Sequence, residues 1–231
     1  MSARVAEGLF RLRLSRSNAF LINDGDLTLV DAGMRREAGA IRNGVRDAGL
    51  APGEIDRVLL THYDVDHVGA LASLASDLDA KAYLGAPDAA FLRGDRTPPL
   101  SNHKGILQRA LRWLAPTPDL PVRGVDDGER IGGFRAYLTP GHTPGHTVYV
   151  NRSMGAAFLG DIVATRRGEF VAVRRLSNYD AAENARSVRA FAECAPPFEV
   201  ACPGHGRPIV EDARARLREF VAAALPRAGT P

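Results

Sequence analysis

Two imidazoles and two carboxylates fall within six residues, at His62, Asp64, Asp66 and His67 in the segment Thr61-His62-Tyr63-Asp64-Val65-Asp66-His67. First-row divalent cations are bound by nitrogen and oxygen donors of this kind, and a loop joining a strand to a helix can turn several side chains toward one point. One His beside one Asp is ordinarily a solvated or satisfied pair. Four donors so closely spaced are different, because burying them unpaired at a strand end is costly without a cation to neutralise them. Three further donors lie in or beside glycine-containing turns far along the chain. His146 sits in Pro140-Gly141-His142-Thr143-Pro144-Gly145-His146-Thr147, Asp161 follows Phe158-Leu159-Gly160, and His205 sits in Pro203-Gly204-His205-Gly206. Glycine beside each donor lets the backbone bend sharply and approach a compact centre. Together the seven residues supply ligands for two metal ions.

The elements that must position them follow from periodicity and turn chemistry. Phe10 to Leu14, Ala19 to Asn23 and Leu27 to Val30 read as strands, the last two joined at Asp24-Gly25. A helix over Arg35 to Ala48 ends at Gly49, and the apolar run Arg57 to Thr61 is a buried strand that leads directly into the donor cluster. A helix from Val68 to Leu78, a strand at Lys81 to Leu84 and a short helix at Pro87 to Leu92 come next. Strands are expected at Phe134 to Leu138, Thr147 to Asn151, Ala156 to Leu159, Phe170 to Val173 and Glu199 to Cys202. Helices are expected over Ala181 to Cys194, capped by Asp180, and over Glu211 to Leu225. Between Gly94 and Gly124 five prolines surround one helix, Lys104 to Leu114. That excursion is either a packed surface segment or a lid over the active site. Phe91, Leu107, Leu111 and Trp113 could form an apolar wall there that selects acyl groups, and Tyr179 either approaches the substrate or packs.

The 231 residues, 45% hydrophobic and 25% charged, read as one compact unit over residues 1–231, in the α/β or α+β class with two sheets. Apolar stretches fall far short of the roughly 20 residues a membrane-spanning helix needs. Met1 to Arg16 has no continuous apolar core of the secretory kind, so a cytoplasmic location is expected. Cys194 and Cys202 are expected as two buried, reduced thiols. The net charge is +3, and Lys81 and Lys104 are the only lysines among 30 basic residues. Arginines are interspersed with acidic residues rather than clustered, which argues for a small-molecule substrate and against nucleic acid. Oligomeric state is not legible.

Nearly the whole chain resembles the metallo-β-lactamase superfamily. Leu29-Val30-Asp31-Ala32-Gly33 looks like the family's first motif, His62 to His67 its second, His146 its third, Gly160-Asp161 its fourth and Pro203-Gly204-His205-Gly206 its fifth. The segment Thr139 to Thr147 looks most like that of glyoxalase II and similar thioesterases. The resemblance implies a four-layer αββα sandwich with ligand loops along one edge. It implies that His62, Asp64 and His146 hold a first metal, that Asp66, His67 and His205 hold a second, and that Asp161 bridges them. His142 is then expected to make a loop hydrogen bond and Asp31 to tie neighbouring loops. The family's second motif usually reads His-x-His-x-Asp-His, and Asp64 stands where the middle histidine would be. Zinc is the family's usual metal, whereas an anionic oxygen donor shifts preference toward iron or manganese. The implied activity is a dinuclear hydrolase that attacks a thioester, ester or lactone carbonyl with a metal-bridging hydroxide, Asp66 orienting it and relaying its proton. The alternatives are a non-haem iron redox enzyme (a persulfide dioxygenase or diiron reductase), a non-catalytic metal-binding member and, weakest, a nuclease.

Overall fold

The computed structural model describes residues 2–225. A first sheet runs β1 (Ser2–Ala6), β2 (Leu9–Arg13), β3 (Asn18–Asn23), β4 (Leu27–Val30), β5 (Ile55–Leu59), β6 (Lys81–Gly85) and β7 (Val122–Val125), with spatial order equal to chain order. It is antiparallel as far as β4 and parallel from there to β7. The second sheet takes β8 (Arg130–Ile131), β9 (Phe134–Leu138), β10 (Thr147–Asn151) and β11 (Ala156–Gly160). A separate hairpin of β12 (Ala164–Arg166) and β13 (Glu169–Val171) intervenes before β14 (Val200–Pro203) joins the second sheet parallel to β11.

Alternation along the central strands builds three apolar layers. In β3, Ala19 and Leu21 join one core with Ile41 and Val45 of α1 (Ala38–Asp47), while Phe20 and Ile22 face the opposite sheet. In β10 the roles mirror: Val148 and Val150 pack toward Val188 and Phe191, and Tyr149 points between the sheets. Helices α2 (Val65–Val68), α3 (Leu71–Leu74) and α4 (Ala86–Arg93) also cover the first sheet. After α5 (His103–Ala110), the helices α6 (Ala181–Cys194) and α7 (Ala213–Ala224) cover the second. The expected αββα layering is what forms, and strands covered on both faces read as continuous apolar runs for that reason. The Tyr149 hydroxyl donates to Leu60 O at 3.1 Å across the inter-sheet core, so the two halves are also joined by a buried polar link.

Some elements differ from expectation. The helix expected from Val68 begins three residues earlier and breaks after Val68, where a side chain at Gly69 would meet Val65 O at 2.3 Å and Arg35 N at 2.6 Å. Asp66 and His67 therefore stand on a helical turn rather than in a loop. The strand at Phe170 pairs only with β12, in a ribbon outside both main sheets. Cys202 is buried as expected, but Cys194, at the end of α6, is exposed. Among the described residues no helix is long and apolar enough to cross a membrane.

Phe158 of β11 lies in the inter-sheet core, its ring 5.6 Å from Phe20 and 5.9 Å from Phe134. Phe158→Ala should cost about 3–5 kcal/mol, a lost transfer energy plus a cavity the two sheets cannot collapse. A urea-denaturation midpoint unchanged from wild type would contradict this account of what holds the sheets together.

Candidate metal centre

The donors gather where strands end. His62 and the turn of Asp64, Asp66 and His67 follow β5; Asp161 follows β11; His205 follows β14; and His142 comes from the turn between β9 and β10. Thr147 N donates to Thr61 O at 2.8 Å, stitching the two ligand-bearing loops across the sheets. Two glycines make the approach possible. A side chain on Gly160, at φ +50°, would come within 2.6 Å of His146 Nε2, and one on Gly204 within 2.2 Å of Asp161 Oδ1.

Donor atoms lie within 4.8 Å of one another in three overlapping groups: His62, Asp64 and His142; His62, His67 and Asp161; and Asp66, His67 and His205. Three of these atoms, His62 Nε2, His67 Nε2 and Asp161 Oδ1, are buried with no hydrogen-bond partner. The far side of each imidazole explains the geometry. Thr61 Oγ1 gives its hydrogen to Asp31 Oδ2 at 2.8 Å and so accepts from His62 Nδ1 at 2.9 Å. His67 Nδ1 donates to Asp31 Oδ2 at 2.8 Å, and His205 Nδ1 to Arg16 O at 2.7 Å. With every Nδ1 hydrogen committed outward, the Nε2 atoms converge inward, as metal-ligating histidines require. Asp31 thus ties the loops together as expected, also accepting from Thr61 N at 2.8 Å. The unpartnered His67 Nε2 and Asp161 Oδ1, with Asp66 and His205 beside them, fit a divalent cation, and His62 Nε2 stands within 4.8 Å of the first two.

The third motif is where the sequence reading fails. His146, expected as a ligand, belongs to none of the three groups. Its Nε2 accepts from Asp161 N at 3.0 Å and its Nδ1 contacts Thr139 Oγ1 at 2.8 Å, so neither nitrogen is available. It is a strut that fixes the backbone of Asp161. His142 stands in the group instead, its Nε2 3.1 Å from Asp64 Oδ2 and 3.7 Å from Asp161 Oδ2. The triplet Pro-Gly-His occurs twice in seven residues, so local sequence does not tell the two apart. The ladder does: Thr139 N donates to His146 O at 2.8 Å, which extends the β9–β10 pairing through His146 and buries its ring, while His142 stays at the turn's tip.

Sequence reasoning did not foresee which residues the excursion brings to the site. Asn102 caps α5, accepting from Lys104 N, and one face of the helix lays Lys104 and Gln108 over the site. The Lys104 ammonium lies 2.7 Å from Asp64 Oδ2, 2.8 Å from His142 Nε2 and 3.0 Å from His142 O. Gln108 Nε2 donates to Asp64 Oδ1 at 2.7 Å and to Tyr63 O at 2.8 Å, and Gln108 Oε1 accepts from the Tyr179 hydroxyl. The apolar wall forms only in part. Phe91 packs into the core beside Tyr63 and Leu107 is 56% exposed, but Leu111 and Trp113 line a cleft of about 870 Å³ with Met34, Val65, Leu114, Asp66 and three arginines, Arg16, Arg35 and Arg36.

Charge in the metal-free site is uneven. Burial and the neighbouring His67 hold the His62 imidazole down at about 4, so it is neutral. Burial also opposes charge on His67, but attraction from Asp31 and Asp161 outweighs it and pushes that imidazole up to about 10. Cation uptake must therefore expel a proton from His67. Zinc affinity should climb about tenfold per pH unit between about pH 7 and 9 and level off near about 10. Competition against a chelator across that range measures the slope, and a flat affinity would remove His67 from the ligand set.

A sequence profile of the Metallo-beta-lactamase superfamily matches residues 12–205. Probable metallo-hydrolase YybB of Bacillus subtilis (strain 168) is 27% identical over 201 residues, covering 86% of this chain and 84% of that protein. Hydroxyacylglutathione hydrolase of Cereibacter sphaeroides is 29% identical over 195 residues, covering 83% of this chain and 63% of that protein. The crystal structure of TTHA1623 in a di-iron-bound form is 30% identical, with a TM-score of 0.67 over 91% of this chain and 98% of that chain. The chain belongs to the metallo-β-lactamase superfamily.

Proposed function

We propose that this protein is a metal-dependent hydrolase of a small thioester, ester or lactone with an apolar acyl part and an anionic group. The observation that carries the reading is the set of unpartnered buried donors, His62 Nε2, His67 Nε2 and Asp161 Oδ1, close to Asp66 of an amphiphilic cleft. The hydroxyacylglutathione hydrolase likeness adds support for a thioester.

A divalent ion bound by Asp66, His67, His205 and Asp161 would supply Lewis acidity and bring the pKa of water down to roughly 7. The chain's own groups do the rest. Asp66, half-buried with Oδ2 3.5 Å from His205 Nε2, stands where the cleft meets the donors and is placed to orient the attacking water, take its proton and return it to the leaving group. Arg16, Arg35 and Arg36 attract the anionic end of a substrate, and Met34, Val65, Leu111 and Trp113 receive its apolar part.

A second reading, a non-haem iron redox enzyme, draws on Asp64 and on the di-iron form of TTHA1623. Asp64, however, has both oxygens engaged by Lys104 and Gln108, so its presence no longer argues for iron by itself.

Protein stripped by a chelator should lose thioester, ester and lactone hydrolysis and regain it with zinc, manganese or ferrous ion. Asp66→Asn should lower kcat by about 100-fold or more. Failure of metal-replete protein on the whole panel would overturn the hydrolase reading, and oxygen consumption by the iron-loaded protein would support the redox one.

A further inference from the structure

The sequence reading places metals at two positions, and the two sets of donors are not alike. The second set leaves His67 Nε2 and Asp161 Oδ1 buried and unpartnered, and from the first set His62 Nε2 is left so as well. In the first, Asp64 and His142 already face a cation. We propose that the Lys104 ammonium is the resident cation of the first position, so that this chain holds one metal ion, on Asp66, His67, His205 and Asp161, instead of two. The inference deepens the metal-hydrolase reading and rests on it.

The hydrogen-bond inventory is the first argument. An ammonium has three hydrogens and no acceptor. Those of Lys104 meet Asp64 Oδ2 at 2.7 Å, His142 Nε2 at 2.8 Å and His142 O at 3.0 Å. The His142 tautomer agrees. Asn178 Nδ2 donates to Arg174 O, which turns Asn178 Oδ1 toward His142 Nδ1 at 3.1 Å and leaves the Nε2 lone pair facing Lys104. Of the three donors gathered at the first position, His62, Asp64 and His142, the Asp64 oxygen and the His142 nitrogen are the ones the ammonium uses.

Charge is the second. Lys104 is 4% exposed, and a buried ammonium needs an anionic partner. Asp64 provides it at the one position where the family's usual motif has a neutral histidine. The substitution and the lysine therefore compensate each other: a neutral imidazole at position 64 would leave the ammonium unbalanced. A divalent ion bound to the same oxygen and nitrogen would be forced against Nζ, and two like charges cannot share those ligands.

Anchoring is the third. Asn102 Nδ2 donates to Tyr179 O at 2.9 Å, His103 Nε2 meets Leu176 O at 3.0 Å, and a side chain on Gly105 would strike Pro99 O at 2.1 Å. Helix α5 is seated on the site from several directions, so Lys104 is held there rather than resting there. With all its hydrogens committed it acts as a fixed positive charge that positions Asp64 and His142.

The test is metal counting. Wild-type protein incubated with excess zinc, and separately with manganese, then desalted, should retain about one ion per chain by elemental analysis. Anomalous diffraction from zinc-soaked crystals should place that ion beside His67 and His205, with Lys104 between Asp64 and His142. Lys104→Met, which removes the charge at similar length, should retain about two. Two ions in wild type, with Lys104 displaced, overturn the proposal and leave the hydrolase reading standing. One ion in both wild type and a folded Lys104→Met also overturns it, because the lysine is then not what excludes the second ion. No retained metal in wild type sinks both readings. If Lys104→Met fails to fold, the wild-type count and the anomalous map still decide.

Discussion

Three buried donor atoms without hydrogen-bond partners set the terms for this structure. An imidazole nitrogen or carboxylate oxygen removed from water without a partner costs roughly 1–3 kcal/mol, more when charged. His62 Nε2, His67 Nε2 and Asp161 Oδ1 lie together in that state. Such a cluster is tolerable where a cation completes it, and much of the surrounding architecture maintains it. Asp31 turns His67 outward-in through Nδ1 and, by way of Thr61, does the same for His62. His146 clamps the backbone of Asp161 from behind.

A second carboxylate performs a related task without facing the centre. Asp88, on α4, accepts from Tyr63 N at 2.8 Å, Thr143 Oγ1 at 2.6 Å and Gly145 N at 2.7 Å. It thereby couples the turn that bears Asp64 to the turn that bears His142. Burial raises its carboxyl to about 6 although those three hydrogen bonds favour the ionised form. The two loops belong to different sheets, and the backbone bond from Thr147 N to Thr61 O joins them at their base. Side-chain carboxylates carry the register where the ladders stop.

The layering was legible because its causes are local: strands such as β3 and β10 are covered by apolar layers on both faces, and their continuous apolar runs show it directly. Six of the seven expected donors meet for a similar reason, since each stands next to a strand end or a glycine that fixes where it goes. His146 was misplaced because its neighbours repeat those of His142, and hydrogen bonding with Thr139 and Asp161 is what separates them. Lys104 and Gln108 were unreadable as site residues for a different reason. Their place depends on how α5 docks, and that docking is set by Asn102, His103 and Tyr179, far from any metal-binding motif.

Composition nevertheless held a trace of the lysine. In a chain that meets nearly every demand for positive charge with arginine, Lys81 is exposed and Lys104 is buried against a carboxylate and an imidazole. Guanidinium is planar and broad, whereas ammonium is compact and directs three donors from one atom. At Lys104 those donors meet one carboxylate oxygen, one ring nitrogen and one carbonyl, an acceptor set arranged around a point. A metal ion asks for the same arrangement, and a guanidinium does not satisfy it. The carboxylate at Asp64 and the lysine at position 104 thus meet one requirement: a point charge surrounded by three acceptors, supplied by the chain itself.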